Sequence, residues 1–317
     1  MFFFQKYLTL EGENQPLANS VQTTIFKPLK FTGYLEILMM KRSLIASAIL
    51  MGSACAYPTF AQEAAAPAAP VAAAVPVADS DMFALKNFSS SIYLTTNYMF
   101  RGISNSDGPA IQGSLDYAYD GFFVGVWASN TEFSDSNLEI DYYGGYRFNY
   151  MTVDITFQGL YYSYPGENIT TTDGFDPINV QANYGEFNLG LAHTFDVEFA
   201  PSMAFNYYYT PNNFGEDGAA NTVQLNLGAT LPKNFGLYSS VGYSVTNGDK
   251  SSGALGGYSY VYYSGGLTYL IKGFKLDAGY VGTNQSSSLL DFYPSTARPN
   301  FGKLVDGSFV FTVSRTF

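Results

Sequence analysis

Charged side chains in this chain recur at every second position of short segments whose other positions are apolar. Glu139 and Asp141 flank Ile140, and Arg147 continues the same parity. In a β-strand, residues two apart project from the same face. Acidic and basic groups aligned on one face of a channel wall can set ion selectivity. The full set on the polar parity, which we predict to line a lumen, is Arg101, Asp116, Glu139, Asp141, Arg147, Asp154, Lys275 and Asp277.

The sequence offers no arrangement of residues that is typical of a catalytic site or of a metal site. His193 is the single histidine, and it shares parity with the apolar Phe187, Leu189 and Leu191. A hydrolase would need a histidine beside a nucleophile, and a metal site would need several ligands at suitable spacing. We therefore predict no catalytic residue, no metal site and no cofactor, with His193 as an interfacial residue of the outer face.

Alternating segments of this kind extend through most of the chain and predict antiparallel strands. One face of each segment is apolar or aromatic and the other is polar, with tight turns such as Asp120-Gly121 alternating with long polar connections. This arrangement is typical of a membrane-spanning barrel. The predicted strands cover 90–103, 110–119, 122–130, 137–148, 151–162, 186–195, 200–210, 221–231, 236–246, 258–271, 274–283 and 307–317.

The number of strands depends on one further segment, 176–184, which also alternates. Single-chain bacterial barrels have an even number of strands, so we assign this segment to a loop or to an extension of a strand. The prediction is an all-β fold, a transmembrane antiparallel up-and-down β-barrel of about twelve strands, with fourteen as the alternative. The segment 122–130 is apolar on both parities, so the orientation of Trp127 stays open.

Composition supports a barrel and excludes one class of partner. The chain is 17% aromatic and only 13% charged, with 27 Tyr and 27 Phe. Few charges and many aromatic rings suit strands that face lipid between two interfacial belts. The net charge of −11 argues against nucleic acid as a partner.

The first part of the chain resembles a targeting region. Met40-Lys41-Arg42 is a basic start, an apolar stretch follows, and Ala61 precedes a plausible cleavage point, so we predict a signal peptide at 40–61. Residues 1–39 are interpreted as an extension from a mis-assigned start, 62–87 as an Ala/Pro-rich periplasmic spacer, and 88–317 as the barrel. The single cysteine, Cys55, falls in the signal peptide. The expected location is the outer membrane of a Gram-negative bacterium.

The last strand has a pattern of its own. Phe309, Phe311, Val313 and Phe317 share one parity, and Phe317 is the final residue. This ending looks like the terminal strand that bacterial outer-membrane barrels present to the barrel-assembly machinery. Expected partners are therefore that machinery, outer-membrane lipid and lipopolysaccharide, and small hydrophilic solutes.

Several stretches resemble the TorF porin family of proteobacterial outer-membrane barrels. They are 97–106 (NYMFRGISNS), 108–117 (GPAIQGSLDY), 125–130 (GVWASN), 138–146 (LEIDYYGGY) and the ending 311–317 (FTVSRTF). The resemblance covers about 88–317 and is most specific in its first part. It implies an outer-membrane barrel more firmly than it implies a substrate.

These observations predict a porin-like channel for passive diffusion of small hydrophilic solutes with a weak cation preference. Arg101 either binds anionic solutes or forms a structural ion pair with a carboxylate such as Asp116. Luminal rings that could stack on sugars are Tyr93, Tyr143, Tyr162, Tyr260 and Tyr262. The alternative is a non-conducting structural or adhesion barrel, plugged by paired charges and acting through the loops 163–185 and 284–306. A lipid-modifying enzyme that uses His193 is the third reading.

Overall fold

The computed structural model describes residues 81–132, 136–166, 169–172, 177–180, 182–214, 218–248, 258–285 and 304–317. The predicted start-site extension, the signal peptide and most of the Ala/Pro-rich spacer lie outside these residues. In the described part of the chain, no helix is both long and apolar enough to cross a membrane.

Sixteen strands form in these residues, and a single turn of 3-10 helix at Leu85–Asn87 precedes them. The strands are β1 (Phe88–Thr95), β2 (Met99–Phe100), β3 (Ile103–Ser104), β4 (Ala110–Tyr119), β5 (Phe122–Asn130), β6 (Leu138–Tyr150), β7 (Val153–Ser163), β8 (Ile169–Thr172), β9 (Pro177–Val180), β10 (Tyr184–Thr194), β11 (Ser202–Thr210), β12 (Ala220–Leu231), β13 (Phe235–Thr246), β14 (Tyr258–Ile271), β15 (Phe274–Thr283) and β16 (Ser308–Thr316).

Twelve of the strands close into one antiparallel barrel in the order β1-β16-β15-β14-β13-β12-β11-β10-β7-β6-β5-β4. Closure comes from β1, which pairs with β4 on one side and with β16 on the other. The predicted up-and-down barrel of twelve strands is confirmed, and the fourteen-strand alternative is wrong. The segment 176–184 adds no strand to the wall: β9 pairs with β8 in a separate two-stranded sheet, and Tyr184 is the first residue of wall strand β10.

Alternation along the strands sorts side chains between the outer face and the lumen. β13 is a clear case, because exposed Leu237 and Val241 alternate with buried Tyr238 and Ser240. Large apolar side chains are exposed around the outside of the barrel, as expected for a surface that lies in lipid. Trp127, whose orientation the sequence left open, is 2% exposed and points inward.

Tight turns join the strands at one end of the barrel. Asp120 and Gly121 have φ of 48° and 83°, and Lys272 and Gly273 have φ of 49° and 81°. Positive φ at both central residues characterises the two-residue hairpin turn whose twist matches that of the strands. One predicted turn shifts along the chain: β6 continues to Tyr150, so the β6–β7 connection is Met151-Thr152 rather than Asn149-Tyr150.

The largest departure from the prediction lies in the first predicted strand, 90–103. The wall strand β1 ends at Thr95, and a small hairpin of β2 and β3 follows it. The turn of this hairpin is Arg101-Gly102, with φ of 47° and 81°. Its sequence alternates like a strand, but the two positive φ values reverse the chain direction. We call residues 96–109 the luminal hairpin.

Candidate functional site

The luminal hairpin folds back into the barrel at the end where the long connections lie. Tyr98 and Met99 are fully buried, and Arg101 is 6% exposed. The predicted strand 90–103 would place Tyr98 and Phe100 on the same apolar outer face as Leu94. That part of the prediction is wrong, because the chain leaves the wall after Thr95 and both rings pack inside the barrel. Backbone and hydroxyl groups hold the hairpin internally, including the Tyr98 N–H donated to Ser106 Oγ at 2.8 Å and the Asn105 N–H donated to the Tyr98 carbonyl at 2.7 Å.

One side of the luminal hairpin packs on β5, β6 and β7. The Tyr98 ring meets the Trp127 ring edge-on, with centroids 5.4 Å apart, and its hydroxyl donates to Glu139 Oε1 at 3.0 Å. The Phe100 ring meets Tyr162 edge-on at 5.9 Å. Burial and the nearby charges of Glu139 and Asp141 raise the pKa of the Tyr98 phenol well above its ordinary value, so it remains a hydrogen-bond donor.

The opposite side of the hairpin reaches β14, β15 and β16. Met99 packs in a small buried cluster with Val281 and Val310. A Cβ on Gly102 would lie 2.8 Å from the Gly282 carbonyl oxygen and 3.0 Å from the Tyr262 Cβ. Since the hairpin contacts strands on both sides of the barrel, it spans the lumen at this level.

The tip of the hairpin carries an ion pair with the wall. The Arg101 guanidinium donates to Glu186 of β10 through Nη1 at 3.0 Å and Nη2 at 2.8 Å. Its carbon centre lies 4.7 Å from the Tyr208 ring centroid and 4.9 Å from the Phe100 ring centroid. Burial lowers the pKa of Arg101, but the Glu186 carboxylate together with the Tyr262 and Tyr162 phenols raises it to well above its ordinary value, so the guanidinium stays charged. Of the two predicted roles of Arg101, the structure shows the ion pair with a luminal carboxylate, and that carboxylate is Glu186 instead of the suggested Asp116.

The other predicted lining residues lie on wall strands and project inward. Asp116 accepts hydrogen bonds from the Tyr143 hydroxyl and from Ser114 Oγ. Arg147 Nε donates to Thr156 Oγ1 at 3.2 Å, and Asp154 accepts from Asn149 Nδ2 at 3.1 Å. Asp277 accepts from the Tyr238 hydroxyl at 3.0 Å, and Lys275 lies on the same face of β15. Glu139 accepts its hydrogen bond from the Tyr98 hydroxyl of the luminal hairpin.

Asp141 stands apart from the other carboxylates. It is fully buried, and neither of its oxygen atoms has a hydrogen-bond partner in the described part of the molecule. In register it lies between Trp127 of β5 and Tyr162 of β7. A buried polar group without a partner is costly, so Asp141 is a position at which the packing of the lumen does not satisfy its polar groups.

Sequence reasoning missed Glu186, the partner of the hairpin arginine. Its neighbour Phe187 is 63% exposed on the outer face, so alternation alone places Glu186 inside. Glu186 is the first residue of the predicted strand 186–195, where the alternating pattern begins. The wall strand begins earlier, at Tyr184, and Glu186 is well inside it.

The tyrosines predicted to offer stacking faces in the lumen are mostly covered. Tyr162 and Tyr262 are at most 2% exposed, and Tyr143 and Tyr260 are also buried. Tyr162 stacks on Tyr184 at 4.5 Å. With the hairpin docked, these rings serve as packing surfaces.

His193 lies on the outer parity of β10 near the tight-turn end. Its Nδ1 is 2.5 Å from the Thr152 carbonyl oxygen, and its ring meets Phe195 edge-on at 4.5 Å. Among the described residues, no group of three or more His, Cys, Asp or Glu side chains is placed to hold a metal ion.

Comparison with known proteins now gives the family. A family model described as "Bacterial protein of unknown function (Gcw_chp)" matches residues 82–317. The chain belongs to the Gcw_chp family. The match begins just before β1 and includes the whole barrel together with the luminal hairpin. Comparison with curated proteins finds no match.

Among solved structures, the chain is similar to several barrels. The KdgM porin in complex with disordered oligogalacturonate matches with a TM-score of 0.45 and 12% identity over 72% of this chain and 98% of that one. A loop L8 deletion mutant of OmpT, an outer membrane protein of Vibrio cholerae, matches with a TM-score of 0.37 and 8% identity over 73% of this chain and 98% of that one. CdiB from Acinetobacter baumannii matches with a TM-score of 0.34 and 13% identity over 73% of this chain and 60% of that one. At these scores, the assignment of the fold rests on the closed strand order of the chain itself.

Proposed function

We propose that this Gcw_chp protein is an outer-membrane, porin-like channel whose passage is controlled by the luminal hairpin. In this reading small hydrophilic solutes diffuse passively through the barrel when the hairpin leaves its docked position. The resemblance to the TorF porin family over 88–317 and the apolar outer face support the outer-membrane assignment. The reading includes no catalytic step.

The observation that carries the proposal is the polar inner wall between the hairpin and the tight-turn end. Many of the half-buried side chains there are polar, among them Ser91, Arg147, Gln158, Asn188, Asn206, Ser264, Lys275 and Ser314. A barrel closed by an apolar core would gain stability from burying aliphatic side chains instead. Partly accessible polar side chains suit a chamber that contains water.

Cation preference is the finer part of the proposal. The acidic side chains at the lumen outnumber the basic ones. The acids are Asp116, Glu139, Asp141, Asp154, Glu186 and Asp277, and the bases are Arg101, Arg147 and Lys275. An excess of fixed negative charge raises the local concentration of cations and lowers that of anions. Removal of Arg101 with the hairpin would increase that excess.

A specific observation also favours the alternative, a non-conducting barrel. The docked hairpin spans the lumen and uses a buried ion pair and aromatic contacts to do so. If it never leaves, the barrel is a structural element. Of the loops through which it would then act, 284–306 lies largely outside the described residues, whereas 163–185 is described except for 167–168, 173–176 and 181.

The test is conductance of protein extracted from outer membranes and inserted into a planar bilayer under a potassium chloride gradient. We expect discrete current steps with a reversal potential on the cation-selective side. In the wild-type protein each step should be brief, because the docked hairpin closes the channel most of the time. A silent bilayer containing protein that runs as a folded, heat-modifiable band would contradict the channel reading and support the structural one.

A further inference from the structure

The wall site that holds Arg101 has the features of a binding site for a cationic group. Glu186 is 2% exposed and receives both terminal nitrogens of the guanidinium. Planar, bidentate geometry is what distinguishes a guanidinium from an ammonium ion in carboxylate recognition. The Tyr162 hydroxyl donates to Glu186 Oε1 at 3.1 Å and so fixes the carboxylate in place.

Aromatic faces complete this site. The Tyr208 ring lies 4.7 Å from the guanidinium carbon, a distance at which a cation is attracted to the ring. Tyr208 belongs to β11 and Glu186 to β10, so both belong to the barrel wall and remain in place if the hairpin moves away. Only Arg101 and Phe100 come from the hairpin.

A second acidic side chain lies beside this site. Asp141 is fully buried, and neither of its side-chain oxygen atoms has a hydrogen-bond partner in the described part of the molecule. Tyr162 connects Asp141 with Glu186, since it is the register partner of Asp141 and donates to Glu186. Arg101 bonds to Glu186, so a ligand that carries a further hydrogen-bond donor besides its guanidinium would give Asp141 the partner that it lacks.

We propose that Glu186, Tyr208, Tyr162 and Asp141 form a binding site for guanidinium-bearing solutes, and that Arg101 occupies it as an intramolecular stand-in. A solute of this class competes with Arg101 for Glu186. Its binding undocks the tip of the luminal hairpin and favours the open channel, because a ligand that binds one state shifts the population toward it. This inference rests on the proposed channel function and names the class of solute.

The experiment measures binding in detergent, where no conduction is needed. The full chain and its Arg101→Ala variant are titrated with agmatine, which carries a guanidinium and an ammonium group. Cadaverine, a diamine of similar length, is the matched control ligand, and binding is followed by calorimetry and by the rise in melting temperature. We expect saturable binding of agmatine to Arg101→Ala, about tenfold tighter than that of cadaverine. The wild-type chain should bind agmatine more weakly, because Arg101 occupies the site.

Two further variants separate a specific site from general attraction. Arg101→Ala combined with Glu186→Gln should lose agmatine binding by at least about tenfold, since the bidentate acceptor is gone. Arg101→Ala combined with Asp196→Asn, which alters an exposed turn residue, should bind like Arg101→Ala. If Arg101→Ala does not give a heat-modifiable barrel, Arg101→Gln, which keeps most of the side-chain volume, takes its place.

Equal binding of agmatine and cadaverine, or agmatine binding that survives Glu186→Gln, would overturn the guanidinium assignment. The proposed channel is tested separately by uptake of an uncharged sugar into liposomes that contain wild type or Arg101→Ala. Sugar uptake together with equal binding of agmatine and cadaverine would contradict only the guanidinium site and leave the channel supported. Specific agmatine binding without any sugar uptake supports the site and contradicts the channel.

Discussion

Arg101 and Glu186 lie 85 positions apart in sequence and form a buried, bidentate ion pair across the lumen. One partner belongs to a short hairpin and the other to the barrel wall. The wall is closed by backbone pairing between neighbouring strands all the way round. The free energy of the ion pair is therefore coupled mainly to docking of the hairpin and only weakly to folding of the barrel.

Replacing Arg101 by Met should free the hairpin and open the channel. Removing one partner of a buried pair leaves the other charge uncompensated, at a cost of about 3–5 kcal/mol. Here that cost falls on the docked state. We expect longer and larger current steps in single-channel recordings. Lys233→Met, an exposed cation in the β12–β13 turn, serves as the matched control and should behave like wild type.

The paired replacement Arg101→Met with Glu186→Leu refines that prediction. Apolar side chains of similar volume can replace a buried ion pair with little loss of stability. The double variant should therefore return toward the closed behaviour of wild type. A double variant as open as Arg101→Met alone would show that the ion pair is not what holds the hairpin.

Gly102→Ala should undock the hairpin by a different route. Gly102 has φ of 81°, and an added Cβ would lie 2.8 Å from the Gly282 carbonyl oxygen, so both the backbone conformation and the contact oppose a side chain. Trypsin cleaves after arginine, so Arg101 reports undocking directly. We expect cleavage at Arg101 in the variant and protection in wild type.

Gly108→Ala is the control for this experiment, because the nearest atom to its added Cβ is 3.9 Å away. It should remain protected from trypsin. If Gly102→Ala is as resistant to trypsin as wild type, the tip of the hairpin accommodates a Cβ despite the short distance to the Gly282 carbonyl oxygen, and the prediction is wrong.

Asp277→Asn should reduce the cation preference of the open channel. Asp277 projects into the lumen from β15, is 5% exposed, and keeps its contact with Tyr238 in the neutral variant. Loss of one fixed negative charge should move the reversal potential toward zero under a potassium chloride gradient. Asp196→Asn, in the exposed β10–β11 turn, should leave it unchanged. An unchanged reversal potential in Asp277→Asn would exclude Asp277 from the conduction path.

Phe317→Ala should impair assembly more than stability. The backbone of Phe317 pairs with Ser90 in both directions, at 2.8 Å and 3.2 Å, and the substitution keeps these bonds. Its side chain is 66% exposed, and Phe309, Phe311 and Val313 of the predicted assembly signal are exposed on the same outer face. We expect less folded protein in outer membranes but a nearly unchanged melting temperature of the fraction that folds. Phe235→Ala, another exposed outer-face ring, is the control.

The sequence by itself determined the wall of this barrel. The alternation from Phe235 to Thr246 and from Phe274 to Thr283 has a period of two, and only a closed sheet buries one such face while leaving the other for lipid. Tight turns such as Asp120-Gly121 could be recognised because glycine readily takes the positive φ that they require. The number of strands followed from the rule that single-chain bacterial barrels have an even number of them.

Only the tertiary structure decided what fills the lumen. Residues 96–104 alternate like the strand before them, so local pattern could not separate wall from hairpin; the difference lies in the positive φ of Arg101 and in the space across the barrel that receives Tyr98 and Met99. Likewise, alternation places Glu186 and Asp141 on the inner face but carries no information about partners across the lumen. The contact between Arg101 and Glu186 depends on closure of the wall, because closure sets the distance between them.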